Sequence, residues 1–227
     1  MSFWRAVLAI YARDLTIASR RGEAVAGTLV FSLLAVTLFR FAFDQAVAAA
    51  LPQLFPGLLW LVLYFAGFLG IYRSFHAEVR DQVLAGLLLA PVDPAAVFYG
   101  KLLANLTFLA LAEAVAVPFL FVFFGYHPSG SASLLPLVGV LALGTLAFAA
   151  AATFVAAVAA GTRAGEVLVP VLLFPLLIPA ALASIAATRG VLIPGGADVT
   201  LWVRMLLAYT AVFLVLPWLL FEHLMEV

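Results

Sequence analysis

Glu113 is the residue whose chemistry demands most of its surroundings, because its carboxyl lies well inside the apolar run Leu102–Gly125. An ionisable group at that depth in lipid costs about 3 kcal/mol or more unless it is neutralised or partnered. Glu113 must therefore face the protein interior, either as a polar wall of a pathway or as a protonated carboxyl bonded to a neighbouring helix. Asn105 lies eight residues earlier, roughly two helical turns, on a similar face. Other chemistry is missing. The chain has no cysteine, which removes disulfides, thiolate metal sites and cysteine nucleophiles. His76, His127 and His223 lie in different connections or near the C-terminus, and none has a second histidine one turn away. That spacing argues against a metal site built from several imidazoles. No glycine-rich loop is followed by Lys–Ser/Thr, so the chain is not expected to hydrolyse ATP by itself. No Ser/His/Asp arrangement points to hydrolysis.

The elements that must hold these residues are six apolar runs, Ala24–Phe43, Gln53–Tyr72, Leu102–Gly125, Leu134–Ala160, Glu166–Ala187 and Leu201–Phe221. Roughly 20 residues at 1.5 Å rise cross a hydrocarbon core of about 30 Å. Backbone groups inside lipid must be paired within their own segment, so each run is expected to be a helix. With 67% hydrophobic and 10% charged residues, the whole of 1–227 reads as one all-α, polytopic membrane domain of six spans.

The formal net charge is zero, which gives no pull toward nucleic acid, but the basic residues are unevenly placed. Arg5, Arg13, Arg20, Arg21, Arg73, Arg80, Lys101 and Arg163 fall on one side of the predicted spans, and Arg40, Arg189 and Arg204 on the other. The positive-inside rule then puts both termini in the cytoplasm, together with the second and fourth connections. Arginines recur through residues 5–21 without one apolar core or a small-residue cleavage site, so a cleavable signal peptide is not expected. Ser2–Arg20 reads instead as an amphipathic helix on the membrane surface. Phe3, Trp4, Val7, Leu8, Tyr11 and Leu15 share one face, and Arg5, Arg13, Thr16 and Arg20 the other. Asp14 falls toward the apolar side and calls for a partner, for which Arg21 is the candidate.

The connection 73–101 is the most informative loop. Its first part, Ser74–Leu89, can form a short helix with Val83, Leu84, Leu87 and Leu88 on a stripe and Glu78, Arg80, Asp81 and Gln82 in its first two turns. Pro91 stops it, and Asp93–Pro94 looks like an N-cap followed by proline at the first helical position. Such a helix suits docking onto another protein; the alternative is a loop resting on lipid. The fourth span is alanine-rich from Ala147 to Ala160, which lets neighbouring backbones approach closely, from this chain or a second copy. Pro170, Pro175 and Pro179 make the fifth span a candidate hinge or broken helix, or else a static kink.

In order and spacing, several segments resemble the haem exporter protein B family (CcmB), membrane subunits of the ABC-type system for cytochrome c maturation. They are Phe3–Trp4–Arg5, Pro56–Gly57–Leu58–Leu59–Trp60, Leu87–Leu88–Leu89–Ala90–Pro91 before Lys101, Gly161–Thr162–Arg163–Ala164–Gly165, and Phe174–Pro175–Leu176–Leu177–Ile178–Pro179. More broadly, the layout resembles type-2 ABC exporter permeases. In the loop, Asp81 and Leu87–Pro91 match the family, while Gln82 and Ala85 stand where it carries glycine and glutamate.

The resemblance implies a permease subunit of the bacterial inner membrane that serves haem export or delivery to the periplasm, with no tightly bound cofactor and haem as the substrate. ATP would be bound by a separate ABC ATPase subunit, docked on Glu78, Arg80, Asp81, Leu84, Leu87, Leu88 and Pro91 and on the surface helix with Trp4, Arg5 and Arg13. Further implied partners are a haem-handling membrane protein, a periplasmic haem chaperone, and a second copy or a related membrane subunit. His127, on the predicted outer side, is the one candidate for a single-imidazole haem ligand. Two alternatives are an exporter of another substrate, with Asn105 and Glu113 lining its path, and a non-transporting scaffold for haem-handling proteins.

Overall fold

The computed structural model describes residues 2–21, 23–42, 50–80, 93–126, 134–160, 165–193, 195–196 and 198–224. Among them are seven helices and no strand: α1 (Phe3–Arg21), α2 (Glu23–Ala42), α3 (Leu51–Arg80), α4 (Pro94–Phe124), α5 (Leu134–Ala160), α6 (Gly165–Leu192) and α7 (Val199–Leu224). Five of them, α3 to α7, are long and apolar enough to cross a membrane; the apolar part of α2, Ala26–Ala42, is shorter.

Helix α5 lies at the centre, packed on α6, α7, α4 and α3. Its composition explains the position. Ala147, Ala149, Ala150, Ala151 and Ala152 are all fully buried, so the small side chains are used up by contacts within this chain. Lipid is as apolar as leucine and gives no hydrophobic drive between helices, which leaves close packing and hydrogen bonds to hold the bundle. Gly144 shows how tight the packing is, since a Cβ there would overlap the Trp60 ring and the Ser184 hydroxyl.

One boundary differs from the sequence reading and one agrees with it. The helix predicted to end at Tyr72 runs on as α3 to Arg80, so residues 74–80 belong to it and do not begin a separate helix. No glycine or proline lies between Ile71 and Arg80 to break the ladder. Helix α4 starts at Pro94, as the Asp93–Pro94 pair predicts, and runs on through the apolar stretch that begins at Leu102. Asp93 caps it by accepting a hydrogen bond from the Ala95 N–H (2.9 Å), and Gly125 closes it at φ 60°. At 31 residues it is roughly 46 Å long, more than the apolar core needs, so its first turns extend beyond it.

The hydrogen bonds between helix ends sort the bundle into two poles. At one, Arg40 Nε donates to the Phe123 carbonyl (3.1 Å) and the Tyr126 hydroxyl to the Leu192 carbonyl (3.2 Å). At the other, α1 lies against the first turns of α4.

Candidate functional site

Two groups of polar residues stand out from the apolar packing, one at the α1–α4 contact and one inside the bundle.

The contact begins with residue size. Gly100 of α4 lets α1 come so close that a Cβ there would meet Ile10 at 2.8 Å and the Val7 carbonyl at 3.0 Å. Ala6, Val7 and Ala96 are buried beside it, and Phe3 meets Tyr99 edge-on at 6.1 Å. Next along α4, Lys101 is only 5% exposed, and its ammonium donates to Asp14 Oδ2 at 3.3 Å. Arg13 Nη1 lies 3.7 Å from the other oxygen of Asp14. Tyr11 and Thr107 share a hydroxyl–hydroxyl bond of 3.1 Å. Asp14 thus pairs across the contact with Lys101 and along its own helix with Arg13; Arg21, the partner expected from sequence, has a side chain outside the described ones. The apolar face read from sequence is split in two. Phe3, Val7 and Tyr11 meet α4, joined by Ile10 from outside that face, while Trp4, at 70% exposure, and Leu8 face away from the protein, with Arg5 also exposed.

Inside the bundle four hydrogen bonds form two matched ladders. Asn105 Nδ2 of α4 donates to the Thr153 hydroxyl of α5 (2.9 Å), and the Thr145 hydroxyl donates to the Glu113 carboxyl. Eight residues forward on α4 meet eight residues back on α5, the register of two antiparallel helices that stay in contact for two turns. Helices α3 and α6 repeat the arrangement at one-turn spacing. Trp60 Nε1 donates to the Thr188 hydroxyl (2.8 Å), and the Tyr64 and Ser184 hydroxyls lie 2.9 Å apart. The ladders meet through α5. Gly144 admits Trp60 and Ser184, Thr145 holds Glu113, and Phe148 stacks on Tyr64 at 5.0 Å. A polar seam so paired satisfies its own groups and fixes the helices in register.

Asn105 and Glu113 therefore lie on one face of α4, as their spacing predicts, and each is bonded to a neighbouring helix. Their partners Thr145, Thr153, Ser184 and Thr188 were not singled out from sequence. The available signal was numerical: two threonines eight apart opposite Asn105 and Glu113, and Ser184 and Thr188 four apart opposite Trp60 and Tyr64.

Pro170, Pro175 and Pro179 all lie within α6, which is unbroken from Gly165 to Leu192. Glu78 and Arg80 occupy the last turn of α3, their side chains outside the description. Asp81, Leu84, Leu87, Leu88, Pro91 and His127 fall outside the described residues.

Heme exporter protein B of Rhodobacter capsulatus is 34% identical over 171 residues, which cover 75% of this chain and 77% of that protein. The protein of the same name from Paracoccus denitrificans is 32% identical over 184 residues, 80% of this chain and 81% of its own. That of Pseudomonas aeruginosa is 29% identical over 170 residues, with shares of 75% and 74%. The model of the family described as CcmB protein matches residues 5–226, nearly the full length, and the chain belongs to that family.

Proposed function

We propose that this chain is the membrane permease subunit of an ABC-type complex that exports or delivers haem for c-type cytochrome assembly. The single observation that carries the reading is the family match over residues 5–226, together with relatives named for heme export that align over three quarters of their length. Five apolar helices of membrane-spanning length support a membrane subunit.

In this reading α2 supplies a sixth span, and α1 lies along the cytoplasmic surface of the inner membrane with Trp4 and Leu8 in lipid and Arg5 toward the headgroups. The arginine-rich pole, with both termini, is cytoplasmic. A separate ATPase docks on 78–91 and α1, and closure of its nucleotide sites moves α3 and α4, the two helices that flank that connection. Haem is the cargo, passed toward a haem-handling membrane protein and a periplasmic chaperone, and the permease works as a pair.

The test is deletion of the gene, scored by haem staining of membrane and periplasmic c-type cytochromes. Loss of the stained bands, restored by the wild-type gene and not when the partner ATPase is catalytically dead, is expected. Intact cytochromes after deletion would overturn the haem assignment. Full maturation with the dead ATPase would reduce the chain to a scaffold.

A further inference from the structure

Two tyrosines make the same unusual contact. The Tyr99 hydroxyl of α4 donates to the Leu214 carbonyl of α7 at 2.7 Å, and the Tyr209 hydroxyl of α7 donates to the Leu176 carbonyl of α6 at 2.9 Å. Leu214 stands three residues before Pro217, and Leu176 three residues before Pro179. A proline inside a helix removes one N–H, which orphans the carbonyl four residues back (Phe213 and Pro175 here), and its ring opens the turn, which stretches the bond from the next amide to the carbonyl three residues back, that of Leu214 or Leu176. A carbonyl oxygen also has a second lone pair to offer. In lipid no water supplements a stretched bond, so a neighbouring helix must. Both tyrosines do this, each donating to the carbonyl three residues before a proline, next to the orphaned one.

The order of the contacts gives them a direction. Tyr99 lies beside Gly100 and Lys101, where α1 is fixed to α4, and its ring meets Phe3 of α1. It holds the proline turn of α7. Helix α7 in turn carries Tyr209, whose ring packs on Phe213 at 4.7 Å, in the same segment that accepts from Tyr99. Tyr209 holds the proline turn of α6.

We infer that Tyr99 and Tyr209 form a two-step relay, in which the position of the first turns of α4 sets the bend of α7 at Pro217, and α7 sets the bend of α6 at Pro179. Both are positioning residues. The relay stands on the helix contacts alone and does not depend on the cargo or on the ATPase partner.

Amide hydrogen exchange of the full chain in lipid nanodiscs tests it. Tyr99→Phe deletes one hydroxyl and keeps the ring. It should raise exchange at Trp218 and Leu219 roughly threefold, in line with the modest worth of a hydrogen bond between membrane helices, and raise it also at Ala180 and Ala181. Tyr209→Phe should raise exchange at Ala180 and Ala181 alone. In a Pro217→Ala background, where no ring opens the turn between the Leu214 carbonyl and the Trp218 amide, Tyr99→Phe should have a smaller effect. If Tyr99→Phe alters the α7 turn and leaves α6 unchanged, or alters neither, the relay is wrong. It is equally wrong if Tyr209→Phe loosens the α7 turn, or if Tyr99→Phe acts undiminished beside Pro217→Ala. Pro217→Ala by itself, which keeps both tyrosine hydroxyls and their acceptor carbonyls, gives an independent reading: exchange should fall at both turns, and a fall confined to α7 would overturn the second step.

Discussion

Asn105 and Lys101 pose the same problem, a polar group among apolar helices, and solve it with different partners. The Asn105 amide is buried and depends on the Thr153 hydroxyl, so Thr153→Val should cost about 1 kcal/mol through the orphaned amide. The double variant with Asn105→Leu removes both ends of the bond and should recover most of that loss. Denaturant unfolding of the four proteins of this cycle in detergent measures the coupling. The ion pair carries more. Removing one partner strands the other in a site with little access to water, and Lys101→Ala should destabilise by about 3 kcal/mol. Limited proteolysis should then release α1 faster than in the parent. The sequence exposed half of each pair: Glu113 and Asn105 are conspicuous because they are costly in lipid, whereas a threonine in an apolar helix is common and gives no sign of what faces it. Asp14 was visible as a misfit, but its partner lies 87 residues away and local spacing could not find it.

For the helices, periodicity and apolar length located α3 to α7 because lipid penalises any other solution, and Asp93–Pro94 marked a start that the structure keeps. The ends were less legible. Helix α3 overruns its apolar stretch to Arg80 because propagation of a helix needs only the absence of a breaker, while the predicted end followed hydrophobicity. The face of α1 was legible only as a set of apolar residues: a helical wheel cannot tell which of them meet protein, nor that Gly100 opens a groove for Val7 and Ile10. Two variants test elements. Gly144→Val would drive a branched side chain into Trp60 and Ser184, and should cost about 1–3 kcal/mol or lower the yield of folded protein, read by size-exclusion profiles after heating. If the proposed ATPase docks on 78–91, Leu87→Asp with Leu88→Asp should leave the bundle assembled but lose co-purification with that subunit; unchanged co-purification would remove the docking assignment.

For the molecule as a whole, the chain is an integral membrane protein of the CcmB family, and its helices bring the residues predicted for opposite sides to opposite poles. Arg40, Tyr126 and Leu192 gather at one end and Asp14 with Lys101 at the other. A reporter fused after Arg80 should therefore be active only as a cytoplasmic fusion, and one fused within 127–133 only as a periplasmic one; the reverse pattern would invert the orientation argued from the arginines. The paired ladders carry a mechanical meaning. With α4 and α5 joined at two points eight residues apart, and α3 and α6 at two points four apart, each couple is bolted twice, like planks that can tilt together but cannot slip lengthwise. Piston-like travel within a couple would have to shear both fastenings at once. A motion that keeps both fastenings whole would have one bolted couple rock against the other across the alanine-lined surface of α5.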